Sequence, residues 1–187
     1  MKALYLIFVT IIIWSCQPKA RQFDLIIRKA MIYDGSGETP YAGDLAVSGD
    51  TIAAMGDLSR DRGNVEFDAQ NLSVAPGFIN MLSWANETLI EDGRSQSDLR
   101  QGVTLEVLGE GSSMGPWSDQ MIKEKQLAQG NIKYDIEWKT LGGYMEYMEA
   151  RGVATNLASF VGNATLRRYV MGYDQRTATS EEMEEMT

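Results

Sequence analysis

The feature that most constrains how this chain folds is a change of rhythm at Ala75-Pro76-Gly77. Before it, apolar residues come in short runs separated by turn residues, the pattern of a small sheet. After it, strand-like and helix-like segments alternate, the pattern of successive parallel βα units. The 187 residues therefore read as two parts with different architectures rather than one uniform fold.

In the first part, strands are expected over Asp24 to Tyr33, Asp44 to Val47 and Thr51 to Met55. The turn residues Asp34-Gly35-Ser36-Gly37 and Ser48-Gly49-Asp50 separate them, and the second and third strands should form a hairpin. Val65 to Phe67 and Leu72 to Val74 add two more. Five short strands make a thin core with open edges, so this sheet is expected to need further strands to complete it.

In the second part, Phe78 to Leu82 is a first strand and Ser95 to Gln101 a short helix ended by Gly102. Val103 to Leu108 follows as a buried-type strand, leading into the flexible loop Gly109-Glu110-Gly111-Ser112-Ser113. Leu141, Tyr144, Met145 and Met148 fall at i, i+3, i+4, i+7, marking the buried face of a helix stopped by Gly152. Met and Tyr at that spacing are core rather than a cofactor site. Val153 to Val161 is a third strand, and Thr179 to Glu182 fits a capping box opening a last helix.

Charge and rare residues exclude several functions. Against 17 Lys and Arg stand 26 Asp and Glu, a net charge of −9 with no basic stripe, which argues against binding nucleic acid or anionic lipid surfaces. Lys2 followed by the apolar run Leu4 to Trp14 is too short to span a bilayer but fits a signal-peptide core. The run ends in Ile13-Trp14-Ser15-Cys16, and a small residue before the only cysteine resembles the bacterial lipoprotein box. Residues 1–16 therefore read as a lipoprotein-type signal peptide and 17–22 as a tether. Lipid on Cys16 would hold the protein in the bacterial cell envelope, facing the periplasm or the exterior. A plain secretory signal or an uncleaved anchor is the alternative. One cysteine also leaves no internal disulfide, so packing alone must hold the fold.

Four segments, in order, resemble the amidohydrolase superfamily and within it the N-acyl-D-amino-acid deacylase branch. They are Asp24-Leu25-Ile26-Ile27 through Tyr33-Asp34-Gly35-Ser36-Gly37; Ala75-Pro76-Gly77-Phe78-Ile79-Asn80; Gln101-Gly102-Val103-Thr104 into Gly109; and Asn156 to Gly162, continuing through Thr165-Leu166-Arg167 to Met171-Gly172. The resemblance implies an α/β fold, with part of a small β-sandwich or barrel domain over residues 23–73. A (β/α)8 TIM-like barrel would start at residue 74 and run to 187. Such a barrel takes about 250 residues, so about three βα units are expected here, a truncated barrel and an N-terminal fragment of the enzyme.

The same resemblance implies a divalent metal, commonly zinc, that activates water against an amide. The substrate implied is a small N-acylated D-amino acid or related amide. The family's His-x-His at the first strand end falls on Leu82 and Trp84, its Gly-Asn-Cys-Gly on Gly109-Glu110-Gly111-Ser112, and its Gly-His on Gly162-Asn163. No histidine occurs in the chain, so this stretch alone is expected to be inactive. Glu110 is the one candidate metal ligand, for at most one ion per site, against the plainer reading of a solvated loop acid. Asn80, Ser83, Trp84 and Asn163 are candidate pocket residues, against roles in packing and in satisfying nearby backbone. Arg167 and Arg168 are read as surface charges or salt bridges. Two functions stay open at this point: an exported hydrolase acting on non-peptide C–N bonds, and a non-catalytic ligand-binding lipoprotein on the same barrel.

Overall fold

The computed structural model of the protein describes residues 19–187, so the signal-peptide and lipidation expectations at Cys16 lie outside the described residues. The described residues form two compact units that divide between Pro76 and Gly77.

The first unit is a five-stranded sheet built on β1 (Gln22–Ile32). The strand β2 (Tyr41–Ser48) pairs antiparallel with β1 and forms the expected hairpin with β3 (Thr51–Gly56). On its other edge β1 takes two parallel partners in succession, β4 (Arg62–Asp68) and then β5 (Ser73–Val74). The change of partner follows from a β-bulge: Ile27 faces Leu45 and Ala30 faces Gly43, so Arg28 and Lys29 together oppose Asp44. Lys29 adopts φ 53°. The Asp44 carboxylate closes the bulge, accepting from the Lys29 backbone N–H at 2.9 Å and from Arg28 Nη1 at 3.0 Å. The segment joining β4 to β5 follows the same bend through the left-handed pair Gln70 and Asn71, the N–H groups of Ala69 and Asn71 donating to the Arg28 and Lys29 carbonyls.

Arg28 is the hub of this unit. Its side chain is mostly buried, and its donors reach Glu66 twice, Asp44, and the carbonyls of Leu58 and Asp61, all between 2.7 and 3.0 Å. Five N–H groups meet five acceptors, the arrangement the planar guanidinium fork suits and a lysine does not. Two small apolar clusters flank it, one of Phe23, Ile26, Ala46 and Leu58, the other of Ala30, Ile32, Leu45 and Ala69. As expected for a thin sheet, apolar side chains such as Ile52, Val65 and Phe67 remain exposed.

In the second unit three parallel strands, β6 (Phe78–Asn80), β7 (Val103–Leu108) and β8 (Asn156–Ser159), lie side by side in sequence order. Short helices α1 (Thr88–Glu91) and α2 (Gln96–Leu99) link β6 to β7. Between β7 and β8 come α3 (Asp119–Ala128) and α4 (Leu141–Arg151), and after β8 come α5 (Asn163–Met171) and α6 (Ser180–Glu185). On α4 the expected face is inside: Tyr144 and Met148 are fully buried in a core with Leu89, Ile90, Leu108, Trp117 and Trp138. Trp138 anchors the β7–α4 connection, donating from Nε1 to the Met114 carbonyl at 2.7 Å and lying 4.8 Å from the Tyr147 ring and 5.2 Å from the Tyr144 ring. The Thr179 capping box is formed, with both reciprocal hydrogen bonds to Glu182.

Three elements are shorter than their sequence pattern suggested. The first strand stops at Asn80 because the Asn80 side chain accepts from the Leu82 backbone N–H and turns the chain. The third keeps only Asn156–Ser159, and the helix expected over Ser95 to Gln101 is one turn, with Ser95 itself left-handed at φ 42°. The helices α3 and α5 have no counterpart in the sequence reading.

Replacing Arg28 with Lys should cost about 2 kcal/mol or more, since three ammonium donors cannot satisfy five acceptors, and urea denaturation reads it. The Arg28 guanidinium, with the Gly63 N–H, also pulls the Glu66 carboxyl down to about 2. A pKa depressed on folding gives stability that is complete above the ordinary carboxylate value and lost as pH falls toward about 2. Thermal melts between about pH 5 and 3 should therefore show a smaller acid loss in Glu66→Gln than in the parent protein.

Candidate functional site

Segments flanking β6, α2 and β8 converge on one side chain of β7 that sequence reasoning did not single out. Glu106, in the middle of β7, is fully buried, with no cation on its carboxylate among the described residues. Three hydroxyls hold it instead: Ser83 Oγ donates at 2.6 Å, Ser95 Oγ at 3.0 Å and Thr155 Oγ1 at 3.1 Å. Ser83 follows β6, Ser95 precedes α2 and Thr155 precedes β8, so one carboxylate ties three connections to the central strand. Its negative charge also adds to burial in holding the Tyr144 hydroxyl protonated well above the ordinary tyrosine range. A Glu amid the apolar run Val103 to Leu108 was the available sign: a charged residue inside a buried-type strand calls for partners.

Beyond β7 the chain turns through Gly109, whose φ is 86° and where an added Cβ would sit 2.1 Å from the Phe160 carbonyl oxygen, so only glycine fits. The following loop is strapped to the start of α5. Ser113 N–H donates to Thr165 Oγ1 at 2.8 Å, Gly162 N–H to Ser113 Oγ at 3.0 Å, and Ala164 N–H to the Gly111 carbonyl at 2.9 Å. Glu110 projects from this anchored loop, exposed, with no side-chain hydrogen bond among the described residues.

A cavity of about 530 Å³ opens beside the loop. Met114, Trp117, Met121 and Ile132 supply an apolar wall, while Asn86, Glu87, Lys125 and Arg168 supply polar groups. The charges are paired: Lys125 with Glu87, and Arg168 with Glu124. The Arg168 guanidinium also lies over the Tyr173 ring, 4.6 Å from its centroid, and Tyr173 donates to Glu124 at 3.0 Å. Hydrogen bonds from Gln120, then Arg168 and Tyr173, hold the Glu124 carboxyl below the ordinary range.

Of the four candidate pocket residues, the cavity wall includes Trp84 alone, whose side chain is 65% exposed. Ser83 is buried because its hydroxyl serves Glu106, Asn80 is occupied with the Leu82 N–H, and Asn163 sits exposed in the first turn of α5. Leu82 is exposed as well. Arg168 forms the expected salt bridge, and Arg167 donates to the carbonyls of Asp174 and Arg176. Among the described residues no group of three or more His, Cys, Asp or Glu could hold a metal ion, so Glu110 stands without companion ligands.

No family model matches the chain. Relatives do. The D-aminoacylase of Alcaligenes xylosoxydans xylosoxydans is 34% identical over 180 residues, covering 91% of this chain and 35% of the relative. A crystal structure of D-aminoacylase, described as defining a novel subset of amidohydrolases, superposes with a TM-score of 0.71 at 30% identity, over 87% of this chain and 34% of that one. The N-acyl-D-glutamate deacylase of Bordetella bronchiseptica, solved with zinc and a phosphonate inhibitor, gives 0.74 at 27% identity, over 89% and 35%. The α/β fold with its parallel strands is that of the amidohydrolases. Within them, the chain belongs with D-aminoacylase and the N-acyl-D-amino-acid deacylases, spanning about a third of the length of the relatives it matches.

Removing the Glu106 carboxylate should leave three buried hydroxyls without their acceptor. Glu106→Ala is expected to destabilise by about 2–4 kcal/mol, and Glu106→Gln by less because one oxygen remains. Denaturant midpoints of the two variants test the ranking.

Proposed function

We propose that the full-length protein hydrolyses the amide bond of N-acyl-D-amino acids, with a divalent metal, zinc, as cofactor. The observation that carries this reading is the 34% identity to D-aminoacylase over 91% of the chain. When bound, the metal supplies Lewis-acid activation of water and of the amide carbonyl.

The described residues do not by themselves make its site. Leu82 and Trp84, where the resemblance places a ligand pair, cannot coordinate, and Glu110 offers one carboxylate on an anchored loop. In this reading the remaining ligands belong to the longer protein, at one ion per site. Glu110 holds its carboxylate at the end of β7, and Trp84 sets an apolar wall beside the cavity mouth.

Exposed Trp84 at a ligand position also favours a second reading, a non-catalytic lipoprotein that binds a ligand on the same barrel. Zinc content and hydrolysis of N-acetyl-D-amino acids by the full-length protein decide between them. Near-stoichiometric zinc that falls at least several-fold in Glu110→Ala, with turnover of the D and not the L enantiomer, is the expected outcome. A metal-free, inactive full-length protein would sink the hydrolase reading and leave the binding one.

We also propose that lipid on Cys16 anchors the protein to the cell envelope, on the strength of the Ser15-Cys16 junction after a short apolar run. Cys16→Ser should move the protein from the membrane fraction to the soluble fraction. Unchanged membrane association in that variant would contradict the anchor.

A further inference from the structure

One wall of the 530 Å³ cavity is made by α3, which contributes Met121 and, one turn further on, Lys125. Little apolar surface holds the helix there. Met121 is its only buried side chain, Ile122 is half-buried against the core, and Leu127 is 88% exposed. The neighbouring α4, of almost the same length, buries Tyr144 and Met148 completely.

Charge does most of the holding. Adjacent residues of α3 grip two different segments of the cavity wall: Lys125 pairs with Glu87 ahead of α1, and Glu124 pairs with Arg168 of α5, where Tyr173 OH also donates to it at 3.0 Å. A third pair, Asp119 with Lys139 at 2.7 Å, lies at the helix start with both side chains more than half exposed. Solvent reaches all three, and pairs of this kind contribute little each and weaken as salt screens them. The chain on either side of α3 is fixed independently. Before it, Trp117 N–H donates to the Lys139 carbonyl at 2.7 Å and Ser113 is strapped to α5. After it, the Gln129 side chain brackets Tyr134, donating to its carbonyl at 2.7 Å and accepting from its N–H at 3.3 Å. Between these fixed points lies α3 alone.

We propose that α3 is a lid on this cavity, clasped shut by Glu124 and Lys125, and that it lifts off when ionic strength screens the two pairs. Opening takes Met121 away from Met114 and Trp117 and exposes the cavity. Burial of Met121 keeps the closed state the resting one at low salt. Once released, the ten-residue helix frays, because one so short is marginal by itself. The inference names no occupant for the cavity, so it goes beyond the deacylase reading and neither depends on the other.

Hydrogen–deuterium exchange on the full-length protein, in about 0.05 M and about 0.5 M sodium chloride, reads the opening by comparing α3 with α4. The α3 amides should exchange faster than those of α4 at both salts. The higher salt should speed α3 by about two- to five-fold, the effect of screening exposed ion pairs, and leave α4 unchanged. Lys125→Met should speed α3 exchange at low salt by a similar factor and blunt its response to salt. Met121 reports the cavity side: peroxide should convert it to the sulfoxide faster at high salt and in Lys125→Met, with buried Met148 unaffected. Exchange of α3 that matches α4 or ignores salt, or Met121 oxidation that does not follow α3 exchange, would overturn the proposal. If Lys125→Met fails to fold, the salt comparison on the parent protein still decides.

Discussion

A single buried carboxylate organises the second unit. Burying Glu106 without a cation is costly, and three hydroxyls at 2.6 to 3.1 Å offset that cost only if the segments bearing Ser83, Ser95 and Thr155 all converge on β7. The requirement fixes where β6 ends, where α2 begins in a left-handed residue, and where β8 starts. Because Ser83 lies between Leu82 and Trp84, the same hydrogen bond sets the strand end from which those two side chains project. Packing around Trp138 and Tyr144 then closes the helix-facing side.

The first unit uses the complementary device, a cation satisfied by acceptors from several segments. Arg28 and Asp44 stabilise a bulge that lets one strand edge serve two partners in turn. Both units thus place a charged group inside a strand and tie several segments to it through hydrogen bonds.

Much of this order was legible in the sequence. Apolar runs between turn residues gave the strands of the first unit, and the i, i+3, i+4, i+7 spacing placed Tyr144 and Met148 inside. Local chemistry sufficed there. The helices α3 and α5 were missed, although Ser118 caps the first, its hydroxyl accepting from the Met121 N–H, and Leu166, Tyr169 and Val170 of the second fall at i, i+3, i+4. Of the candidate site, Trp84 was placed at the cavity, but Ser83 and Asn80 were assigned to a pocket when their side chains are taken by Glu106 and by a turn. For Ser83 that distinction rests on a contact between residues 23 positions apart, which spacing along the chain does not encode.

At the centre stands the proposal that the full-length protein carries a metal site to which Glu110, one residue before the position of the family's cysteine, contributes a ligand. Anomalous diffraction at the zinc edge from crystals of the full-length protein tests it most directly. A single peak within coordination distance of the Glu110 carboxylate, with Leu82 and Trp84 outside the coordination shell, is the expected result. Zinc elsewhere in the barrel with Glu110 turned to solvent, or no zinc in crystals grown with it, would contradict the claim.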